Sequence, residues 1–583
     1  MRKKIDVGNE NFASTIRKGG YFVDKSAWIK PLLETSGYVQ LITRPRRFGK
    51  SMFLDMVSTF LRIDCEHPGD VSSQRELFSG LGILKEADFC ERYMGRFPVL
   101  ALSFNGIEGN SFSKAYGLLG LTLAEAARGF ECLLGSPRLN AQDKADLLRF
   151  QDDSFMANPE NTVLASRFIS RLSVMLEKHF GVPAVLLIDE YDVPLAKASS
   201  GGYYEEMRFF YKALLSVLKT GVGRQQSIQK AVMTGCLRIS KESVFTGLNN
   251  LGVNTVCSDD DVFSGAIGFT PEEVEALLAY CGLESRRDVV RRWYDGYRLA
   301  SSEIYCPWDV LMFCAESLRK KDPLSFQPVK FWADTSDNAI LDDFLGFIDG
   351  EDADRMQALV DGGEITIRLN EQVTFSDLKA HRSEDFWTLL LFTGYLTVAG
   401  RDGEAFRLKI PNEAVRDEFR ERIQAHFTAS NSDFSQSGRK FALAAVAGET
   451  NAMRQVLFDV LENYVSVRDS ATKAKAENFY HGFLSALLAG AGKTIHAFRS
   501  NAEAGDGYAD ILFTSSSMPL TGVVIEVKHA RSLAEMAGAA EQALRQIRDK
   551  RYARGFDGLD CEKVFGYGIA FHGKSCVIKA EVL

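Results

Sequence analysis

A basic turn between a predicted strand and a predicted helix carries the residue types that bind phosphate. YVQLIT is apolar and β-rich, RPRRFGKS is polar and basic, and MFLDMVSTFL has helical apolar spacing. Gly49, Lys50 and Ser51 stand where the loop meets the helix, and both loop N–H groups and a helix N-terminus attract anions. We therefore expect Lys50 to reach the terminal phosphates of a nucleotide and the Ser51 hydroxyl to ligate Mg²⁺.

Two carboxylates follow a second predicted strand, the apolar run VLLI. Asp189 would hold Mg²⁺ through water, and Glu190 would polarise the attacking water. Acidic residues that end a buried parallel strand emerge at the edge of the sheet where ligands bind. The alternative to a phosphate-binding site is a purely structural one, in which the loop is a surface turn and the two acidic residues end an exposed strand. The loop also departs from the usual phosphate-binding pattern, because Arg44 occupies the position of its first glycine.

The next predicted strand, QKAVMTG, brings two further candidates. Thr234 would contact the γ-phosphate or the water, and Arg238 would be a transition-state cation. Structural roles are equally compatible with both residues, because strand ends and loop arginines are common. Arg44, Arg46 and Arg47 would also suit a nucleic acid, but the adjacent Gly-Lys-Ser makes a nucleotide phosphate the simpler target.

The last hundred residues contain the groups needed to cut a phosphodiester with bound Mg²⁺. Asp510 lies on one predicted strand, and Glu526 and Lys528 lie on the next, where alternation puts them on the same side. The two carboxylates would ligate the metal, and the lysine would stand near the attacking water or the scissile phosphate. The side chain of Val527 faces the other way, but its carbonyl would be a further metal ligand.

The flanking helices add polar residues to this set. Glu477 lies on the preceding helix, and Gln542 and Gln546 lie one turn apart on the following one. Two alternatives stay open: an exposed charge pair without chemistry, and a site that binds metal or DNA but does not cut. The end of the last long helix and the turn after it are basic, which suits either a DNA backbone or a solvated face; these residues are Arg545, Arg548, Lys550, Arg551 and Arg554.

The elements that must position these residues change along the chain. Strands that alternate with helices predict a parallel sheet covered on both faces in the segment 1–265. The segment 266–427 opens with a helix marked by Thr270 as N-cap and Glu273 at the capping-box position, and it is predicted to be mixed and mainly helical. TASNSDFSQSG begins a predicted linker and helical connector, 428–470, and the segment 471–583 has the predicted order αβββαβ.

Composition narrows the class of protein. A length of 583 residues implies three or four domains at about 100–200 residues each, and 46% apolar with 25% charged residues excludes wholesale disorder. The 77 acidic and 69 basic residues give a net charge of −8, which excludes a chain built as a polycation. The ten cysteines form no C-x-x-C pair and are predicted to be reduced. No apolar run reaches the ~18 residues of a membrane span, so a cytoplasmic location is predicted.

Several stretches together resemble a known family. YFVDKSAWIKPLL, LITRPRRFGKS, LLIDEYDVPL, MTGCLRISKESVFTGLNNLGV, WYDGYR and FWADTSDN resemble bacterial AAA-ATPase-like proteins that carry a C-terminal nuclease-like domain. The resemblance covers nearly the whole chain and implies an AAA-related P-loop NTPase fold with ATP as ligand. This family shares the RPRRFGK form of the loop, which makes Arg44 a family variant and adds Arg46, Arg47 and Phe48 to the implied nucleotide-binding residues.

The C-terminal stretches ENFYHGFL, YADILF, VIEVK and ALRQIRDKRY are similar to the PD-(D/E)XK nuclease superfamily. That resemblance implies that Asp510 and Glu526 are metal ligands, that Lys528 is catalytic, and that Glu477 is an accessory ligand or orienting group. It favours Gln546 over Gln542 as the helix glutamine. One departure is the sequence Gly-Tyr-Ala before the aspartate, where the family tends to have an arginine, so the comparison with the family implies the loss of a phosphate contact there.

These observations predict an α/β chain with an AAA-like P-loop sheet, a mixed, mainly helical middle region and a C-terminal restriction-endonuclease-like domain. The predicted function is binding and hydrolysis of ATP coupled to Mg²⁺-dependent cleavage of nucleic acid, with DNA favoured. The alternative is a nucleotide-switched DNA-binding or interaction protein whose nuclease-like domain is inert. ATP and Mg²⁺ are the predicted cofactors, and self-association into a homo-oligomer is compatible with the sequence.

Overall fold

The chain divides into two compact units, each described here by itself. The computed structural model describes residues 5–219, 227–238, 251–331, 350–360, 362–374, 377, 382–429, 432–464, 476–489 and 491–583. The N-terminal unit comprises Met1–Asp337 and Thr366–Arg416, and the C-terminal unit comprises Asn338–Ile365 and Asp417–Leu583. Much of the predicted middle region therefore groups with the phosphate loop. The four-segment division made from composition stays a prediction.

A five-stranded parallel sheet forms the centre of the N-terminal unit. Its order is β2-β3-β4-β1-β5, and every neighbouring pair is parallel. The strands are β1 (Val39–Thr43), β2 (Val99–Ser103), β3 (Ala184–Asp189), β4 (Ile228–Gly235) and β5 (Leu251–Asn254). All residues of β1 and β3 are buried, as expected when both faces of a parallel sheet are covered. The predicted sheet is confirmed, and β2 and β5 extend it beyond the strands that the sequence pattern singles out.

Helices surround this sheet and continue beyond it, and all helices are numbered along the chain. The helices of this unit are α1 (Phe12–Arg17), α2 (Ile29–Glu34), α3 (Lys50–Leu61), α4 (Ser72–Leu77), α5 (Ala87–Tyr93), α6 (Phe112–Arg128), α7 (Ala141–Gln151), α8 (Asp153–Met156), α9 (Thr162–Ala165), α10 (Phe168–Phe180), α11 (Val193–Gly201), α12 (Tyr204–Leu214), α13 (Pro271–Cys281), α14 (Arg287–Tyr294), α15 (Pro307–Arg319) and α17 (Ser383–Thr393). The division between the units falls within α18 (Glu413–Ala429).

The start of α13 follows the sequence signal closely. The Glu273 carboxylate accepts a hydrogen bond from the Thr270 backbone N–H at 2.8 Å, and the Thr270 hydroxyl oxygen accepts one from the Glu273 N–H at 3.4 Å. This reciprocal capping box satisfies two N–H groups that the first turn of a helix leaves free. The helix ends at Gly282, whose φ of +71° suits glycine.

Short strands accompany these helices. The antiparallel hairpins are β6 (Tyr297–Leu299) with β7 (Ser302–Ile304), and β9 (Thr397–Asp402) with β10 (Ala405–Lys409). β8 (Ile365–Ile367) lies where the chain passes from one unit to the other. The described part of the segment 266–427 thus mixes helices with short strands, as its irregular sequence pattern indicates.

The C-terminal unit contains a second five-stranded sheet, of order β11-β12-β13-β14-β15. β13 and β14 are parallel, and the other neighbours are antiparallel. The strands are β11 (Ile495–Ala504), β12 (Gly507–Ser515), β13 (Leu520–His529), β14 (Cys561–His572) and β15 (Ser575–Val582); the helices are α16 (Gly350–Val360), α19 (Ser432–Ala447), α20 (Thr450–Tyr464), α21 (Ala476–Ala489) and α22 (Met536–Asp549). The predicted αβββαβ order is confirmed, and β15 follows it.

The segment 428–470, predicted to be a linker and helical connector, is helical in the residues that the structure describes. The segment enters the end of α18 and then forms α19, and residues 430–431 lie outside the described residues. Gly438, one of the residues that suggested a linker, lies at a close helix contact, because a Cβ at this position would lie 2.1 Å from the Leu487 carbonyl oxygen on α21. The glycine serves close helix packing here rather than chain flexibility.

Candidate functional site

The loop after β1 has the backbone form that a phosphate-binding loop requires. α3 begins at Lys50, and Gly49 precedes it with a φ of +91°, a conformation that side chains disfavour. Arg47 also has a positive φ, of +67°. The loop therefore turns sharply into the N-terminus of a helix, the geometry in which free N–H groups and the helix dipole favour an anion.

Arg44 fixes this loop through buried hydrogen bonds. Its guanidinium is buried and donates to the Thr43 carbonyl oxygen at 2.8 Å, the Asn254 side-chain oxygen at 2.6 Å and the Phe263 carbonyl oxygen at 3.0 Å. Burial lowers the pKa of Arg44 to about 9. This side chain ties the loop to β5 and the turn after it, so it is not available to a nucleic acid.

Asp189 joins three elements at the carboxyl edge of the sheet. Its two carboxylate oxygens accept hydrogen bonds from the Ser51 hydroxyl on α3 and the Thr234 hydroxyl on β4, both at 2.5 Å. β4 lies between β1 and β3, which explains why residues distant in sequence meet here. The structure thus brings together three of the residues predicted from sequence, including both predicted Mg²⁺-binding groups of this unit.

Lys50 and Glu190 complete the polar part of the site. The Lys50 ammonium is almost fully buried and donates to the carbonyl oxygens of Arg44 and Pro45, at 3.0 and 2.9 Å. Burial raises the pKa of the Glu190 carboxyl, Lys50 opposes the rise, and Asp189 adds to it. A carboxylate with a raised pKa is better able to accept a proton near neutral pH.

A cavity of about 520 Å³ opens onto the loop. Residues 46–51 and Glu190 line it, whereas Asp189 and Thr234, which the sequence also assigns to the nucleotide, are not among the lining residues. The sequence pattern gave no signal for the other walls, which come from separate parts of the same unit. These walls lie within residues 6–10, 15–25, 52–56, 105–108, 193–197, 266–269 and 307–311.

Arg238 is not brought to this cavity. Its guanidinium lies 3.7 Å from the Glu371 carboxylate, and it is not among the residues that line the space beside the loop. Asp192 holds the segment after β4 that leads to Arg238. Its carboxylate accepts hydrogen bonds from the N–H groups of Cys236 and Leu237 at 3.0 and 2.8 Å. The predicted role of Arg238 as a transition-state cation has no geometric support in this arrangement.

The second candidate site lies on β12, β13 and α22. Glu526 is 2% exposed, and one of its carboxylate oxygens accepts hydrogen bonds from the Lys528 ammonium at 3.2 Å and from the Gln546 amide. The Asp510 carboxylate accepts a hydrogen bond from the Val527 N–H at 2.7 Å. Val527 itself is buried on the opposite face, as strand alternation predicts.

The described residues compensate the burial of the Glu526 carboxyl only in part. Burial and then the neighbouring Asp510 raise its pKa to about 8, and Lys528 only partly opposes this. Its second oxygen, Oε2, is buried and has no hydrogen-bond partner among the described residues. A buried carboxylate oxygen without a donor, close to a second carboxylate, is suited to a hard divalent cation.

Tyr552, the last residue of the stretch ALRQIRDKRY, also belongs to this site, although the sequence assigned it no role. It lies on the 3-10 turn Tyr552–Phe556 after α22, it is buried, and its hydroxyl oxygen accepts a hydrogen bond from the Gln546 amide at 3.2 Å. Gln542 on the same helix is exposed. The contacts therefore place Gln546, rather than Gln542, at the carboxylates.

The remaining predicted residues contribute less. Glu477 lies on α21, but its side chain is outside the described residues. Within the described part of the chain, no group of three or more His, Cys, Asp and Glu side chains is arranged to hold a metal. The basic cluster is partly neutralised, since Arg551 pairs with Asp506, and Arg548 lies 3.4 Å from the Glu581 carboxylate.

A parallel sheet with a phosphate loop after β1 and acidic residues after β3 defines a P-loop NTPase, and it is combined here with a nuclease-like mixed sheet. A family model described as "Predicted AAA-ATPase" matches residues 6–245, and one described as "PD-(D/E)XK nuclease superfamily" matches residues 475–581. The chain belongs to the family of predicted AAA-ATPases that carry a C-terminal PD-(D/E)XK nuclease-superfamily domain.

A relative in Azotobacter chroococcum mcd 1, named "Uncharacterized protein in vnfD 5'region", is 30% identical over 437 residues. The match covers 72% of this chain and 70% of that protein, so it extends well beyond either single domain. Across the described residues, no helix combines the length and the apolarity that a membrane crossing requires.

Proposed function

We propose that the N-terminal unit binds and hydrolyses ATP, and that this activity controls Mg²⁺-dependent cleavage of nucleic acid, with DNA favoured, by the C-terminal unit. The observation that carries the proposal is the convergence of separated polar groups on one carboxylate in each unit. Ser51 and Thr234 meet on Asp189, and Lys528 and Gln546 meet on Glu526.

In the ATPase half, the chain's own groups would exchange partners when the nucleotide binds. The Lys50 ammonium would leave two loop carbonyls for the terminal phosphates, and the loop N–H groups would hold the phosphate tail. Bound Mg²⁺ would neutralise phosphate charge, with Ser51 and Asp189 as the groups that hold it. Glu190, whose carboxyl has a raised pKa, would orient the water and accept its proton.

In the nuclease half, Asp510, Glu526 and the Val527 carbonyl would hold the cation. When bound, Mg²⁺ would supply positive charge to the scissile phosphate and lower the pKa of a water. Lys528 would stabilise the developing charge or orient the water, because its ammonium is already 3.2 Å from the Glu526 carboxylate. Gln546 would keep the Glu526 carboxylate in place.

One assay tests both halves. Full-length protein is mixed with ATP, Mg²⁺ and plasmid, and phosphate release and plasmid cleavage are both measured. We expect Lys50→Ala to abolish phosphate release, and Lys528→Ala to lower cleavage at least ~100-fold while phosphate release persists. Lys212→Ala on α12 and Lys579→Ala on β15 are matched controls, because both lysines are exposed in their units. Intact plasmid and no phosphate release in the unmodified protein, under varied metal and salt, would contradict the proposal.

A second function keeps the nucleotide switch but makes the C-terminal unit an inert binding platform. It is favoured by the fact that, among the described residues, Asp510 and Glu526 gather without a third metal-ligating side chain. It predicts ATP binding with DNA retention that is unchanged by Lys528→Ala. The cytoplasmic location and the homo-oligomer remain predictions made from the sequence.

A further inference from the structure

The cavity beside the phosphate loop has walls of two chemical kinds. Most of the loop residues are polar, as is Glu190, whereas Tyr21, Val23, Phe269 and Leu311 present apolar and aromatic surface to the same space. A phosphate loop binds only the charged tail of a nucleotide. The apolar walls therefore indicate a part of the ligand that is not phosphate.

Trp308 connects the two kinds of wall. It lines the cavity, and the guanidinium of Arg47, a loop residue, lies 4.3 Å from the centre of its ring. Its indole Nε1 is buried and has no hydrogen-bond partner among the described residues. The backbone of Gly8 packs beside the ring, since a Cβ at this glycine would lie 3.5 Å from Trp308 Cζ3.

The segments that carry these walls are held against the loop by its own carbonyl groups. The Gly268 N–H donates to the Phe48 carbonyl oxygen at 3.0 Å, and the Cys306 thiol lies 3.8 Å from the Arg47 carbonyl oxygen. Phe48 also packs edge-on against Tyr297, with ring centres 4.9 Å apart. The position of Trp308 relative to the phosphate-binding groups is thus fixed by direct contacts.

We infer that Trp308, together with Arg47, forms the surface against which the nucleobase packs, which makes Trp308 the residue that selects a nucleoside triphosphate over inorganic polyphosphate. This inference rests on the proposed binding of ATP. An indole ring and a guanidinium plane both stack on bases, so the two side chains together offer a surface of the kind that a nucleobase packs against. Residues 266–311 thereby acquire a role in the nucleotide site.

The test compares ATP with inorganic tripolyphosphate, which has the phosphate tail but no base or ribose. Both are titrated in the presence of Mg²⁺ into the full-length protein and into Trp308→Ala, Trp308→Phe and Phe209→Ala. We expect Trp308→Ala to weaken ATP binding by about tenfold or more and to change tripolyphosphate binding less than about twofold. Trp308→Phe retains most of the ATP affinity. Phe209→Ala is the matched control, because this aromatic is 78% exposed on α12 and does not line the cavity.

Three results would overturn the inference. Equal losses for both ligands in Trp308→Ala would show that the loop itself is deformed, and no loss for either would show that the ring makes no contact. Unmodified protein that binds tripolyphosphate as tightly as ATP would show that the base adds nothing. Unmodified protein that binds neither ligand would instead refute the proposed ATP binding, on which the inference depends.

Discussion

The buried carboxylates of the two sites differ in how far the chain itself satisfies them. Asp189 accepts hydrogen bonds on both oxygens, from Ser51 and Thr234. Glu526 uses one oxygen for Lys528 and Gln546, whereas its other oxygen has no partner among the described residues and its pKa is raised to about 8. The ligand of the first site must displace internal contacts, and the ligand of the second site must complete them.

This difference teaches what each unit gains from its cofactor. In the N-terminal unit, binding exchanges existing hydrogen bonds for phosphate and metal contacts, so the gain in stability is small relative to the contacts formed. In the C-terminal unit, a cation would relieve a cost that is already present in the folded chain. We therefore expect divalent cations to stabilise the C-terminal unit strongly, even without nucleotide.

The largest expected effect comes from Glu526→Gln in the absence of metal. The folded protein keeps the proton on Glu526 up to about pH 8, whereas the unfolded chain releases it near the ordinary value of 4.5. Stability is therefore lost as pH rises from about 4.5 to about 8, by an amount on the order of a few kcal/mol. Glu526→Gln removes this loss, so its unfolding temperature in EDTA at high pH exceeds that of the unmodified protein.

Thermal unfolding at low and high pH, with and without Mg²⁺, checks this expectation. Added Mg²⁺ stabilises the unmodified protein at high pH and leaves Glu526→Gln nearly unchanged. Glu562→Gln, an exposed residue on β14, is the matched control and has little effect. A Glu526→Gln protein that is less stable than the unmodified protein at high pH would contradict the idea of an unsatisfied carboxylate.

The satisfied site should respond with the opposite sign. Asp189→Asn replaces a carboxylate that accepts from two hydroxyls with an amide that has one acceptor oxygen, so we expect a loss of about 1–3 kcal/mol of stability. Denaturant unfolding measures it, with Glu206→Gln on the surface of α12 as control. If Asp189→Asn raised stability, the contrast between the two sites would not hold.

The smallest effect is expected at Tyr552. Tyr552→Phe removes the hydroxyl that accepts from Gln546 and keeps the buried ring, which costs about 0.5–1.5 kcal/mol. If nucleic acid is cleaved, the rate should fall a few-fold, because Gln546 holds Glu526 less firmly. Tyr508→Phe is a suitable control, since Tyr508 is 67% exposed on β12. Equal effects of the two changes would remove Tyr552 from the site.

Local sequence rules predicted the contacts that follow from regular geometry. The edge of a parallel sheet brings Ser51 and Asp189 together across 138 positions, and period-two alternation puts Glu526 beside Lys528. In both cases the residues lie at positions that the secondary structure alone defines. The capping box at Thr270 belongs to the same class.

Contacts outside regular geometry were not predictable in this way. Arg44 reaches Asn254, 210 positions away, and nothing in the loop pattern distinguishes a phosphate ligand from a buried anchor. Trp308 meets Arg47 only because α15 packs near the loop. The segment around Gly438 has the composition of a linker. The glycine itself, however, lies at a close contact between two helices, which only the folded chain reveals.

Helices α19 and α20 affect where the nuclease-like part of the chain can be cut if it is to be transferred to another protein. Phe441, Met453 and Leu457 pack into the same apolar core as Ile525 and Tyr567 of the C-terminal sheet, and the Tyr567 hydroxyl donates to the Ala445 carbonyl oxygen at 2.6 Å. A piece cut to the matched span 475–581 would lose these partners and expose their apolar side chains. Recombination that transplants the nuclease-like part intact must therefore carry both helices with it.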